Sequence, residues 1–455
     1  MYMAKILNLF LVWSAKLGLF VIVKFKLGFG GTLPGHFALS INKHFIGQMF
    51  KYNPQIKIVL VAGTNGKTTS TKLIKYLLEK NDYKVISNET GANLVNGIAS
   101  KLISHSDWKG HIDADVAVFE IDEYMLGPLV TEVSPEAILV LNLFRDQLDR
   151  YGEVNAISNR WKKIFADLPK ETKLFLNGDD PELYYLGQHA GATVYYFGLA
   201  KKLMKLRKIP HDADSIYCPQ CNEKLSYSAI SYSHLGDFNC KNCGFAKEKV
   251  ETLNQIKLQS NLFGQYSKYN INGLSLMLNQ SFHIKYDNII HNLAKFKPAF
   301  GRQERLNYKN KDILILLSKN PTGFNQSIEA VSEFENKNVN ILLILNDQIP
   351  DGKDISWIWD VDFQKILPLA KKIFIAGERG YDMAIRLRYE LDRANWPKAE
   401  NGLIKIDKNI FVLSSIKKAV NFAANNTEKN QTLFILPNYS AMLKVRSIIL
   451  NREML

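Results

Sequence analysis

The sequence predicts an α/β protein with two sheet domains in series, and three observations carry that expectation. Short apolar, β-branched runs alternate with helix-length stretches, first over residues 57–197 and again after residue 300. The first of these runs leads into a glycine-rich turn and then a helical pattern. Between the two series lies a stretch with few apolar runs, at about residues 214–251, which holds all four cysteines of the chain and reads as an insert.

Taken in order, residues 57–62 (KIVLVA) form a strand signal, residues 63–69 a loop, and the following segment a helix with Ile74, Leu77 and Leu78 on its apolar side. Strand signals recur at 114–121, 137–142, 173–177 and 193–197, spaced by helix-length segments, which is the pattern of a mostly parallel sheet. After 300–306 the alternation resumes, with strands expected at 312–317, 340–345, 372–376, 410–413 and 432–437. The chain therefore divides into a basic, apolar N-terminal segment (1–53), a central domain (54–299) carrying the insert, and a smaller, Rossmann-like α/β domain (300–455).

Composition agrees with folded domains: 46% hydrophobic and 22% charged residues exclude collagen-like and wholly disordered chains. The net charge of +14 is unevenly placed, since ten lysines and no acidic residue precede Glu79. Such an excess can meet nucleic acid, an anionic membrane surface or phosphorylated substrates, and the apolar residues between the lysines favour the last two. Residues 6–23 are nearly apolar but interrupted by Asn8, Ser14 and Lys16. At 100° per residue, Lys5, Asn8 and Lys16 share one narrow face, which fits a helix in the membrane interface with snorkelling lysines. A helix packed into the core fits the same residues equally well. A secretion signal fits less well, because no Ala-x-Ala cleavage pattern follows.

Gly63-Thr64-Asn65-Gly66-Lys67-Thr68-Thr69 is the sharpest motif. Glycines let backbone N–H groups and a helix N-terminus face an anion, Lys67 can reach outer phosphates, and Thr68 offers a hydroxyl to Mg2+. At the end of a later strand, Glu120 in Phe119–Glu123 is the candidate carboxylate for that magnesium. Cys218-x2-Cys221 and Cys240-x2-Cys243, eighteen residues apart, match a four-cysteine zinc ribbon, in which a closed Zn2+ organises the insert rather than reacting. With every cysteine so committed, no thiol is left to serve as a glutaminase nucleophile.

The phosphate loop resembles that of the Mur ligases and folylpolyglutamate synthases. So do Asn142 to Gly152, Asn177-Gly178-Asp179-Asp180-Pro181 and Gly301-Arg302-Gln303-Glu304, in the family's order. Within that family Gly31 to Gly35, Asn93 to Ile98, the cysteine insert, Lys319 to Gln326 and Trp357 to Phe363 are similar to the MurT-type branch. The resemblance implies a central ATP-binding domain with Gly63 to Thr69, Asn270 and Arg302 on the nucleotide. It further implies an ATP-dependent carbon–nitrogen ligase that amidates the D-isoglutamate α-carboxyl of lipid II through an acyl phosphate. Ammonia would come from a GatD-type glutaminase partner, in the cytoplasm or at the inner face of the plasma membrane.

Lys67 and Glu120 are then expected to be catalytic, together with Asp360, or alternatively Asp362, as the carboxylate that orients or deprotonates incoming ammonium. Two departures stand out: Gln147 occupies the place of a metal-associated His, and Gly273, in Tyr269-Asn270-Ile271-Asn272-Gly273, that of a further Asn. An amino-acid-adding ligase of the Mur or folylpolyglutamate type is the rival enzyme reading. A zinc-ribbon protein that binds nucleic acid is the non-enzyme rival, and the basic excess lies away from the cysteines that it would need.

Overall fold

The computed structural model describes residues 2–25, 32–88, 93–146, 154–248, 250–252, 262–298, 300–334, 338–391, 399–400, 403–407 and 409–452. Three helices open the chain: α1 (Tyr2–Phe25), α2 (Leu33–Ile41) and α3 (Phe45–Tyr52). The first sheet follows as β1 (Lys57–Ala62), α4 (Lys67–Glu79), β2 (Val85–Ser87), α5 (Val95–His105), β3 (Val116–Glu120), α6 (Leu126–Val130), β4 (Ala137–Val140), α7 (Val154–Ala166), β5 (Lys173–Asn177), α8 (Pro181–Gln188) and β6 (Thr193–Phe197). Its order is β2-β3-β1-β4-β5-β6, with every pair parallel. The chain winds through β2 and β3 on one side of β1 and through β4 to β6 on the other. That makes the crevice above the C-terminal ends of β1 and β4 the topological switch point, where such sheets bind ligands.

Alternation along β1 explains why both faces are covered. Ile58, Leu60 and Ala62 point into the core shared with α2, α3 and α5, whereas Val59 and Val61 point into the core shared with α4. The second core is completed by α9 (Gln265–Phe282) and α10 (Tyr286–Leu293), which come after the cysteine insert and its hairpin, β7 (Ser226–Tyr232) and β8 (Leu235–Asn239).

The second sheet contains β9 (Arg302–Tyr308), β10 (Lys311–Leu316), α11 (Pro321–Phe334), β11 (Val339–Ile344), β12 (Ala370–Ala376), α12 (Gly380–Glu390), β13 (Ala399–Glu400), β14 (Leu403–Asp407), β15 (Ile410–Leu413), α13 (Ile416–Asn426), β16 (Thr432–Pro437) and α14 (Tyr439–Leu450). Its order is β13-β14-β15-β12-β11-β16-β10-β9. The strands from β15 to β10 are parallel, as the sequence predicts, but antiparallel strands close both edges. Of these, β9 (RQERLNY) has polar residues facing partly to solvent, so it lacks the continuous apolar run that marks the central strands.

The N-terminal helix departs from the interfacial expectation in the direction it faces. Asn8 is 1% exposed and hydrogen-bonds Gln48 and Asn42, and Lys16 donates to the carbonyl of Ser106, so the polar side of α1 packs inward together with Leu11, Val12 and Ala15. No described helix is long and apolar enough to cross a membrane. Lys5's side chain and Gln147 lie outside the described residues. The motif glycine Gly35 has a steric role, since a Cβ there would come 1.9 Å from the Asn96 carbonyl, and its absence lets α2 rest on α5.

Candidate active site

The β1–α4 turn puts Gly66 at φ +92°, a left-handed conformation that favours glycine, and a Cβ there would also strike the Asn270 amide. The neighbouring strand loop holds the turn: Asn142 accepts from the Asn65 N–H (2.9 Å) and donates to its carbonyl (2.9 Å), while the Phe144 N–H donates to the Thr64 hydroxyl (3.0 Å). Both partners lie at the C-terminal end of β4, so the switch point itself fixes the loop.

Lys67 is buried at the start of α4 and donates to Glu123 (2.8 Å), and the Thr68 hydroxyl donates to Glu120 (2.6 Å). Glu120 ends β3 and is positioned by Asn88, whose amide brackets its backbone at 2.7 and 2.9 Å. Burial works against the Lys67 ammonium, yet Glu123 and Glu120 hold it above the usual lysine range. The Thr68 hydroxyl and Glu120 carboxylate are adjacent hard oxygens of the kind that hold a magnesium ion beside phosphates.

Lys67, Glu120 and Glu123 line a cavity of about 290 Å³ between the two sheets, together with Arg302, Lys319 and Tyr439 of the C-terminal domain and Tyr232 of the insert. A narrower slot shares Thr69, Tyr266, Arg302 and Gln303 with it and reaches Asn270, whose buried Oδ1 finds no partner among the described residues. An orphaned acceptor beside the phosphate turn is what an additional ligand group would satisfy. Gly273, on the same helix, lies against the Phe197 ring, and a Cβ there would meet it at 2.8 Å, leaving no space for a second Asn.

Asp360 is not brought into this cavity. It lies in a neighbouring pocket of about 50 Å³ lined by Arg145, Asn320 and Trp357, and Asp146 and Lys319, an ion pair, line both spaces. Arg145 reaches Asp360 (3.1 Å) and also pairs with Asp214 of the insert. Asp362 faces elsewhere, with its carboxylate on Lys365 (2.6 Å) and its N–H on Asn325 (2.9 Å), so Asp360 alone of the two borders the site.

The motif carboxylates Asp179 and Asp180 are fully buried supports. Asp180 caps α8 and accepts from the Leu143 N–H (3.1 Å), while Asp179 accepts from Lys247 (2.8 Å) and Tyr269 (2.7 Å). Glu304 likewise clamps Arg446 through two hydrogen bonds, at 2.7 and 3.0 Å.

The four cysteine sulfurs lie within 4.8 Å of one another, with Cys218–Cys243 at 3.6 Å and Cys221–Cys240 at 3.5 Å. A tetrahedral ion with bonds of about 2.3 Å needs sulfur separations of just under 4 Å, so the donor set fits a metal. The two knuckles share one geometry: the residue after each second cysteine, Asn222 (φ +62°) and Gly244 (φ +77°), donates back to the first cysteine's carbonyl.

Glu123, Arg145, Asp146, Lys319 and Tyr232 join the site without having been singled out from sequence. The first four stand inside or next to quoted motifs, whereas nothing local marks Tyr232, which depends on the insert folding back over Phe144.

A Mur ligase middle-domain model matches residues 61–248, and a MurT ligase C-terminal model matches residues 317–442. The MurT subunit of lipid II isoglutaminyl synthase (glutamine-hydrolysing) from Streptococcus pneumoniae is 30% identical over 444 residues, covering 94% of each chain. That from Staphylococcus aureus is 29% identical over 428 residues, covering 91% of each. Among known structures, a pseudomurein peptide ligase type C from Methanothermus fervidus superposes with a TM-score of 0.64 over 89% of this chain and 81% of its own, at 21% identity, a likeness of fold. With a phosphate loop at the switch point, a second domain closing the cavity and near-complete alignment to these relatives, the chain belongs to the Mur ligase family, in the branch of the MurT subunits of lipid II isoglutaminyl synthase.

Proposed function

We propose that this chain is the ATP-dependent ligase subunit that converts the D-isoglutamate α-carboxylate of lipid II to D-isoglutamine in peptidoglycan synthesis. The observation that carries the reading is the cavity in which the Lys67 loop and Glu120 of one domain face Arg302 and Lys319 of the other. A carboxylate is a poor electrophile, because expelling oxide is uphill. Its oxygen attacks the γ-phosphorus of ATP, the bond to the ADP oxygen breaks, and an acyl phosphate results. Ammonia then attacks the acyl carbon, phosphate leaves with the bonding pair, and one proton is shed to give the amide.

Lys67 and Arg302 offset charge on the transferring phosphoryl group, and Asn270 completes the nucleotide slot. Thr68 and Glu120 would hold magnesium, which neutralises phosphate charge when bound. Glu123 accepts from Lys67 at 2.8 Å and so holds the ammonium at the phosphate turn. In this reading Asp360, which lines the side pocket with Lys319, holds ammonium and takes its proton as it enters. The four cysteines would hold a structural zinc that anchors the insert while Tyr232 reaches the cavity.

The named relatives are subunits of a glutamine-hydrolysing synthase, and this chain's four cysteines converge on one cluster. A separate GatD-type glutaminase is therefore the ammonia source in this reading. Mass spectrometry of lipid II incubated with ATP and ammonium chloride, or with glutamine and a co-purified glutaminase, tests it. Amide formation that is lost in Lys67→Ala is the expected result. ADP release that instead requires a free amino acid, with that amino acid joined to the acceptor, would replace the reading by the amino-acid-adding one.

A further inference from the structure

The outward side of α1 is the reverse of a soluble helix. Ile6, Phe10, Trp13 and Leu17 recur at helical spacing and are 54, 58, 48 and 63% exposed, while the polar Asn8 is sealed inside. A second stripe, Leu33, Phe37 and Ile41, is 52, 41 and 51% exposed along α2. Trp108, 61% exposed, stands beside them. These segments form one lobe: Asn42, just past α2, donates to Asn8 (2.7 Å), the Trp13 indole donates to the Trp108 carbonyl (2.6 Å), and Lys16 lies over the Trp108 ring.

Single exposed apolar residues need no explanation, but two stripes and a second tryptophan in one lobe mark a contact surface. Its charge says which kind. No acidic residue occurs before Glu79, and Lys43 and Lys109 are exposed next to Ile41 and Trp108. Two tryptophans with lysines around apolar side chains are the composition of a bilayer interface. Since no described helix is suited to spanning, the fitting geometry is a face resting on the lipid.

We propose that the outward face of α1, α2 and the Trp108 loop docks on an anionic bilayer. The inference rests on the reading of a lipid-linked acceptor, and it ties that acceptor to the cavity. Asn93 lines the cavity, α5 begins two residues later, and α2 packs on α5, so the lipid-facing lobe leads directly to the site. It also reassigns the polar residues of α1, which fasten the helix to the protein so that its apolar side stays outward.

Vesicle flotation of the full chain tests this, using equal parts phosphatidylglycerol and phosphatidylcholine against phosphatidylcholine alone. The protein is expected to float with the anionic vesicles and several-fold less with the neutral ones or in high salt. Phe10→Ser with Leu17→Ser, and independently Phe37→Ser with Trp108→Ser, should each lower the bound fraction about tenfold. Both should leave the circular dichroism melt unchanged. Absence of flotation, or flotation that neither variant weakens, would overturn the proposal. So would a concentration-dependent dimer that both variants abolish, since that would assign the face to a second copy of the chain. Amidation of detergent-dispersed lipid II separates this inference from the functional one: activity without flotation removes only the docking face. Flotation without any amidation removes the acceptor and leaves the surface standing.

Discussion

Lys67, Thr68 and Glu120 come from two neighbouring strand ends of one sheet and find their partners within 56 and 52 residues of chain. The pocket around Asp360 is assembled differently: Arg145 follows β4, Asp214 belongs to the insert, Lys319 and Asn320 follow β10, and Arg145 meets Asp360 across 215 residues. The Lys67, Thr68 and Glu120 part of the phosphate side is complete once the first sheet has folded, with Arg302 added across the cavity, whereas the Asp360 side exists only when the two sheets and the insert are docked. A change inside the phosphate turn should therefore remove chemistry outright, and changes on the composite side should separate nitrogen transfer from nucleotide binding.

The largest effect is expected for Lys67→Ala, which leaves Glu123 buried without its cation and the phosphoryl group without a charge partner. Amidation should fall by about a thousandfold with either ammonium chloride or glutamine as nitrogen source. A loss under tenfold with both sources would place the phosphate site elsewhere.

Asp360→Asn comes next, and it sharpens the contrast. It should lower amidation about a hundredfold with ammonium chloride, while binding of a fluorescent ATP analogue stays at the wild-type level. Equal loss of nucleotide binding would show that the side pocket is not separate from the phosphate site, and unchanged turnover would remove Asp360 from the mechanism.

Arg145→Ala breaks the link between the insert and Asp360. Because the Asp214 side chain is 3% exposed, losing its partner should cost about 2 kcal/mol of stability, and turnover should fall about tenfold. Adding Asp214→Asn removes the stranded charge. The double variant should recover most of the thermal midpoint but none of the activity, and recovery of both would reduce Arg145 to a structural role.

Differences in assembly also explain what could be read from the chain beforehand. The Gly63–Thr69 turn, Glu120 and both cysteine knuckles are local patterns, and local geometry makes them legible. The structure adds that Asn222 and Gly244, after the second cysteine of each knuckle, are residue types suited to their left-handed conformation. Lys16 and Asn8 were legible as one face of a helix, but not as its inner face, because periodicity gives a direction only after the neighbour is known. Arg145, Lys319 and Tyr232 acquire meaning only through contacts across the insert and the second domain. The antiparallel edges β9 and β14 escape for a related reason: an edge strand buries less, so its apolar pattern is weaker.

Stripping the proposed zinc is a milder perturbation of the composite side. Cys218 and Cys240 are buried against Tyr184, Phe238 and Phe245, so the insert keeps a small apolar core without its ion. A thiol-reactive mercurial should release one zinc per chain and lower the first thermal transition by roughly 5–10 °C. Activity should fall only several-fold at low temperature, since Tyr232 is at the other end of the hairpin from the cysteines. Complete loss of turnover under conditions where the fold persists would mean that the ion positions the site more directly.

The smallest effect is expected where the two regions touch. Asn65 of the phosphate turn and Asn320 exchange hydrogen bonds at 3.2 and 3.4 Å, and Asn320 Oδ1 also accepts from the Gly323 N–H (2.8 Å), capping α11. Asn320→Ala removes both functions, whereas Asn320→Ser retains a cap but is too short to reach Asn65. Alanine should lower stability by about 1 kcal/mol through the cap, and serine by only a few tenths. Both should raise KM for ATP about fivefold, the equivalent of one lost hydrogen bond worth about 1 kcal/mol. A KM that rises with alanine and not with serine would assign the effect to the helix cap. An unchanged KM in both would mean that the phosphate turn is held by Asn142 alone and does not sense the second domain.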